Sequence, residues 1–225
     1  MPKSSSVEKL FLNGSAGRLE AILESPSDAS VAGVAVVLHP HPQHGGTMHN
    51  KVAHTLARSF VRMGLAVLRF NFRGTEGSEG EFDQGVGELD DALVALTWMN
   101  GKYPDLPFWL AGFSFGAAIA VHAAIVMPPI GLITVAPALH RCSDGLDDQP
   151  DCPWLIIQGD ADELLDVDDT IAWVNKLEPG PELLLMPGAE HFFHGRLIDL
   201  REAVTNFVSA VRPRSCDSTN EKNRA

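Results

Sequence analysis

In Gly112-Phe113-Ser114-Phe115-Gly116 a serine stands between two glycines. An apolar, strand-like run (FWLA) precedes it and a small-residue helical run (AAIAVHAAI) follows it. The chemistry open to such a serine is nucleophilic attack. A sharp strand-to-helix turn pushes the hydroxyl out at the edge of a sheet and strains the serine backbone, so small flanking residues are required. The same turn aims the first amides of the new helix at one spot. The amide of Phe115 is therefore a candidate donor to a developing oxyanion. The competing reading is a serine that merely caps a helix; a strand before and a helix after favour the nucleophile.

A serine hydroxyl is a poor nucleophile at neutral pH. It needs a base to take its proton, and the base needs a carboxylate to orient it. Two later segments offer these groups, each just after a strand-like run. WLIIQ is followed by Gly159-Asp160-Ala161-Asp162-Glu163, and ELLLM by Pro187-Gly188-Ala189-Glu190-His191. Asp160 and Asp162 compete for the acid, and His191 and His194 for the base.

The elements that must position these residues alternate along the chain. The pattern predicts strands at Lys9–Leu12 and Arg18–Leu23 with a turn near Asn13-Gly14, then strands at Gly33–Leu38, Ala66–Phe70, Pro107–Ala111, Gly131–Val135, Trp154–Gln158 and Glu182–Met186. Helices are predicted at Asn50–Met63, Val86–Met99, Phe115–Met127, Val167–Leu177 and Leu197–Val211. Alternation of this kind implies a mostly parallel, twisted sheet of about eight strands with helices on both faces. Active residues of such sheets sit in loops beyond the carboxyl ends of the strands. The whole of 1–225 reads as one α/β domain, with residues 1–6 and about 212–225 as loose polar tails.

With these segments in order, the chain resembles the α/β-hydrolase superfamily, and within it small lidless bacterial serine hydrolases related to dienelactone hydrolases and short-chain esterases. The resemblance runs from about Leu10 to Val211. It rests on LHPHPQHGGTMHNKV, NFRGTEGSEGEFDQGVGELDD, GFSFGA, QGDADELLD and PGAEHFFHGR. It implies the α/β-hydrolase fold without a lid domain, Ser114 as nucleophile, His191 as base and Asp162 as acid. Asp160 would then tie its own loop together, and His194 would open the last helix. The resemblance also places a second oxyanion donor in the loop after GVAVVL, here His39-Pro40-His41-Pro42, where relatives carry glycine in place of the first proline. Neither proline has an amide hydrogen. His41 is the best candidate, with His39 or Gln43 if the loop turns differently. Asn71 and Arg73 would hold loops by hydrogen bonds; the alternative for Arg73 is contact with substrate.

Rival chemistries use some of the same residues. His39-x-His41-x-x-His44 suggests a zinc hydrolase, but such a run normally carries an acid where Gln43 stands. The glycines of residues 74–87 do not form a dinucleotide fingerprint at a first strand–helix turn. A non-catalytic scaffold of the same fold is a further alternative, and scaffolds of that kind usually lack a member of the triad. A net charge of −12 argues against nucleic acid and anionic membrane surfaces as partners. Three cysteines without metal-ligand spacing, and an N-terminus without an apolar leader, point to free thiols in the cytoplasm. A Cys142–Cys152 bridge is the alternative. No cofactor is called for, and nothing in the sequence specifies an oligomeric state.

The connection Ala138–Cys152 is too short and polar for an apolar lid, although the Ser78–Gly87 loop has the length to fold over the cleft. An open cleft favours a small ester as substrate, with thioester or amide cleavage by the same triad as alternatives. Phe113, Phe115, Phe192 and Phe193 flank the serine and the base, and are candidates for an apolar acyl pocket or for core packing.

Overall fold

The computed structural model describes residues 5–27, 30–138 and 149–211. Its centre is an eight-stranded sheet in the order β1-β2-β4-β3-β5-β6-β7-β8. The strands are β1 (Ser5–Gly14), β2 (Gly17–Pro26), β3 (Val34–Leu38), β4 (Ala66–Phe70), β5 (Phe108–Phe113), β6 (Gly131–Val135), β7 (Trp154–Gly159) and β8 (Glu182–Met186). β1 and β2 run antiparallel, β2 meets β4 antiparallel, and the remaining neighbours are parallel. The helices are α1 (Lys51–Arg62), α2 (Val86–Lys102), α3 (Phe115–Val126), α4 (Val167–Val174) and α5 (Leu197–Ala210).

Successive side chains of a strand point to opposite faces, so the continuous apolar runs feed two cores. Val34, Val36 and Leu38 join Ala66, Leu68 and Phe70 under α2 and α3. Ala35 and Val37 join Val67, Trp109 and Phe113 under α1 and α5. Burying a Val, Leu, Ile or Phe contributes about 1.5–3 kcal/mol, which offsets the entropy of ordering the chain. α3 is apolar all round because it lies inside; its alanines and Gly116 let it approach the sheet closely.

The structure corrects several expected boundaries. The first hairpin is longer than the apolar pattern suggested: β1 and β2 pair from Ser5↔Pro26 to Gly14↔Gly17, and the turn follows Asn13-Gly14 directly, at residues 15 and 16. Ser5 and Ser6 belong to β1 and not to a tail, because backbone pairing with β2 does not require apolar side chains. Asn50 caps α1, its Oδ1 accepting from the amides of Val52 and Ala53 at 2.9 and 3.3 Å. α4 stops at Val174, short of the expected Leu177, and α2 continues past Met99 to Lys102. The 212–225 tail, Cys142 and its pairing with Cys152, and most of the Ala138–Cys152 connection lie outside the described residues. Among the described residues no helix is long and apolar enough to cross a membrane.

Strand register brings the candidate loops together at one edge. Leu38 is level with Gly112, Phe113 with Val135, and Gly159 with Met186. The loops that begin at residues 39, 114, 136, 160 and 187 therefore emerge side by side at the carboxyl end of the sheet.

Candidate active site

Ser114 sits between β5 and α3 at φ 54°, ψ −114°, a conformation costly for any residue with a Cβ. Two close approaches hold it there. A Cβ at Gly112 would lie 2.2 Å from the Gly116 carbonyl oxygen, and a Cβ at Gly116 would lie 2.4 Å from the His39 carbonyl oxygen. The Ser114 amide donates to Val135 O at 2.9 Å, fixing the turn to β6.

His191 Nε2 lies 3.1 Å from Ser114 Oγ, and His191 Nδ1 lies 2.8 Å from Asp162 Oδ2. An ionised carboxylate only accepts, so the imidazole proton belongs on Nδ1 and Nε2 is left to accept from the serine. Asp162 also accepts at Oδ1 from the amides of Leu164 and Leu165, each at 2.9 Å, and at Oδ2 from Gln158 Nε2 at 2.9 Å. Burial works to raise the pKa of Asp162. The hydrogen bonds from His191, Leu164 and Leu165 outweigh it and hold the carboxyl below its ordinary value. The His191 ring is 3 % exposed, with Phe113 and Phe192 each 5.1 Å away.

The loops that carry Asp162 and His191 are laced together. Asp160 Oδ1 accepts from the Gly188 amide at 2.6 Å, and the amides of Asp160 and Ala161 donate to Met186 O and Ala189 O, each at 3.2 Å. Asp160 thus ties two loops together, where the sequence suggested only its own. Glu163 Oε2 accepts from the His191 amide at 3.1 Å. Gly159 lets the backbone of the two loops come this close, since a Cβ there would lie 2.1 Å from Ala189 O. His194 is not part of this chain of bonds. It is exposed and pairs with Glu190 at 3.5 Å, and α5 opens at Leu197, after Arg196.

The loop after β3 is held by His39, which is fully buried. Its Nε2 accepts from the Phe72 amide at 3.0 Å and its Nδ1 lies 2.7 Å from Pro40 O. The proton must then be on Nδ1, and the ring is neutral. Burial lowers its pKa to about 4, against the opposing pull of the Pro40 carbonyl. Both ring nitrogens are engaged within the protein, which removes His39 from a metal-ligand set. His41 and His44 stack on one another with centroids 4.4 Å apart. Among the described residues no three His, Cys, Asp or Glu side chains converge on one point. The Gln43 amide donates to His41 Nδ1 at 3.3 Å, so it turns into its own loop. His41 lies beside Phe115, ring centroids 5.0 Å apart.

Of the expected pocket residues, Phe113 is fully buried beneath the His191 ring and does not line an open cleft. Phe115 and Phe193 are buried in the two cores. Phe192 is 40 % exposed and stands edge-on to His191. The sequence reading missed Phe82, which the 78–87 loop sets 4.9 Å from His41 and 5.8 Å from Phe115. It also missed Gln158 and Glu163. Gln158 had left a signal, as the polar residue that closes an otherwise apolar buried strand.

Arg73 is engaged within the protein. Its guanidinium grips buried Asp91 at 2.7 and 3.1 Å and reaches Ser15 at 3.1 Å. The bond to Asp91 raises its pKa above the ordinary value. Asn71 accepts the Met48 amide at 2.8 Å and donates to Glu20 at 2.8 Å, fixing the far end of the loop that carries His41.

A mostly parallel sheet carrying a serine on a strained strand-to-helix elbow at its carboxyl edge defines the α/β-hydrolase class. A family model described as serine aminopeptidase, S33, matches residues 35–145. A crystal structure from Xanthomonas campestris, described as an α/β serine hydrolase without lid, is similar at 40% identity and TM-score 0.86, covering 95% of this chain and 99% of that one. An uncharacterised protein of Rickettsia prowazekii is 34% identical over 214 residues, 91% of this chain and 90% of the relative. Est1E of Butyrivibrio proteoclasticus, solved with ferulic acid bound, shares the fold at 18% identity and TM-score 0.79, over 90% of this chain and 98% of its own. The chain belongs to the α/β-hydrolase superfamily, among its serine hydrolases.

Proposed function

We propose that this hydrolase cleaves small carboxylic esters through an acyl-enzyme on Ser114. His191 Nε2 takes the Ser114 proton as Oγ attacks the ester carbonyl. The amides of Phe115 and His41 receive the oxyanion. The imidazolium then gives its proton to the leaving alcohol, and a water activated by His191 releases the acid. Asp162 keeps His191 in the tautomer that can accept. No cofactor enters any step. The observation that carries this reading is the unbroken chain Ser114 Oγ–His191 Nε2 and His191 Nδ1–Asp162 Oδ2 at 3.1 and 2.8 Å, on a serine held at φ 54°. A non-catalytic scaffold has no use for that strain.

Phe192 and Phe82 supply apolar walls on the base side and the oxyanion side of the serine. The Xanthomonas relative is described as lacking a lid, which supports an open cleft and small substrates. The test is labelling with a fluorophosphonate, mapped by peptide mass, beside rates on a panel of p-nitrophenyl esters, a thioester and an aminoacyl anilide. Stoichiometric modification at Ser114 and fastest turnover on the esters are expected. Ser114→Ala should remove label and reduce turnover about 10⁴-fold or more. Fastest turnover on the anilide would move the substrate class from esters to amides while leaving the triad in place.

A further inference from the structure

β7 is apolar until its end. Gln158 is the polar side chain in WLIIQG, and it is fully buried. Its Nε2 donates to Asp162 Oδ2 at 2.9 Å, the same oxygen that meets His191 Nδ1 at 2.8 Å. A longer contact of 3.3 Å reaches Gly159 O. The other end of the amide, Oε1, is buried without a hydrogen-bond partner among the described residues. Buried polar atoms are nearly always paired, and an unpaired one is destabilising. Turning the amide over gives no relief, because Oε1 would then face the carboxylate, acceptor against acceptor. An apolar side chain of the same length would fit this strand with no orphaned atom. What Gln158 adds is one N–H aimed at Asp162.

We infer that Gln158 is a positioning residue of the active site, whose Nε2–H fixes the plane of the Asp162 carboxylate and limits the charge that Oδ2 presents to the imidazole. The inference rests on the acyl-transfer reading above. Two backbone amides pin Oδ1. Gln158 pins the other oxygen, so the carboxylate cannot swing about its Cβ–Cγ bond while His191 changes charge. Without that donor Oδ2 becomes more basic and holds the imidazolium more tightly. His191 then stays protonated to higher pH and is lost as a base there. Among the described residues, the titratable groups of the loops around the pair are Asp160, Glu163 and Asp166 after β7, Glu190, His194 and Arg196 after β8, and His41 and His44 on the loop beside the elbow; β5 and the elbow contribute none. All of these remain in place when Gln158 is replaced.

Gln158→Met keeps the length and removes the donor. With a p-nitrophenyl ester, kcat should fall about 10- to 10²-fold with KM little changed, as for a misplaced catalytic group. The acid limb of the kcat/KM profile should move to higher pH, and Tm should stay within about 3 °C of wild type. Wild-type kcat and an unmoved acid limb in Gln158→Met would overturn the assignment. So would activity that falls only in step with a large drop in Tm, since that marks a purely structural residue. Ser114→Ala and Asp162→Asn run in parallel separate the two levels. If they are inactive while Gln158→Met is normal, the triad stands and Gln158 has no part in it. If they retain activity, the acyl-transfer reading itself fails.

Discussion

Asp160 and Asp162 stand two positions apart on one loop and meet different partners. Asp162 Oδ2 holds the imidazole at 2.8 Å, while Asp160 Oδ1 holds the Gly188 amide at 2.6 Å. Asparagine separates these tasks. Asp162→Asn keeps the shape, but its amide can present N–H to His191 and so favour the wrong tautomer; turnover should fall about 10³- to 10⁴-fold. Asp160→Asn still offers a carbonyl oxygen to Gly188, so it trades a charge-assisted bond for a neutral one. That change should cost about 1 kcal/mol of stability and little turnover. Steady-state kinetics beside urea unfolding of both variants checks this. A folded Asp160→Asn that loses more turnover than Asp162→Asn would reverse the pair. The residue types at this site were legible in the sequence because Ser114, the Asp160–Asp162 segment and His191 each follow a strand. Which aspartate meets His191 was not legible from spacing, since either could reach a histidine whose loop had no known path.

At the scale of elements, the loop between β3 and α1 decides how the serine is served. Pro40 and Pro42 flank His41, and His39 and Asn71 anchor the two ends of the loop on the segment after β4. His41→Ala loses the ring contacts to Phe115 and Phe82 but keeps the amide, so turnover should fall at most about tenfold. His41→Pro deletes the amide and should lose about 10²-fold or more, the usual cost of an oxyanion donor. Equal losses in the two variants would show that the side chain, not the amide, matters. His39 gives this loop a pH dependence. Its pKa is lowered from 6.5 to about 4 in the folded protein, so between those values the unfolded chain binds the extra proton and the folded one does not. Stability from this group is complete above about pH 6.5 and is lost as pH falls through about 4, by roughly 3 kcal/mol. Urea midpoints at pH 7 and pH 5 should differ in that direction, and the part due to His39 should vanish in His39→Gln.

At the scale of the whole molecule, the sheet gathers the candidate site at one edge. The exposed Phe192 and the half-buried Phe82 offer short apolar walls there. Acetyl to hexanoyl esters should therefore be hydrolysed faster than dodecanoyl and longer ones. Rate should rise smoothly as substrate passes its solubility limit, since no lid domain stands among the described residues. A chain-length series run on both sides of that limit checks both points; a jump in rate, or a long-chain preference, would contradict them.

Much of this architecture lay open in the sequence. Continuous apolar strands such as VAVVL can be buried on both faces only in a covered parallel sheet, and the glycines around Ser114 make sense only at a tight turn. Those are local constraints, carried by residue type and period. The paths of the polar loops were not local. The length of the first hairpin came from backbone pairing, which polar residues join as readily as apolar ones. The fate of the phenylalanines depended on which side of the elbow the core lay, so Phe113 went beneath the His191 ring while Phe82, far off in the chain, arrived beside His41. Glu163 gained its partner, the His191 amide, only when the loops after β7 and β8 were brought level by strand register, while Gln158 meets Asp162 four residues on, where its own loop turns back. Residue type and period thus set the sheet, the elbow and the kinds of side chain around it, because each is written in nearest-neighbour chemistry. Which aspartate meets His191, and how the loops after β7 and β8 are tied, rests on the tertiary structure, because those hydrogen bonds join segments far apart in the chain that strand register brings level.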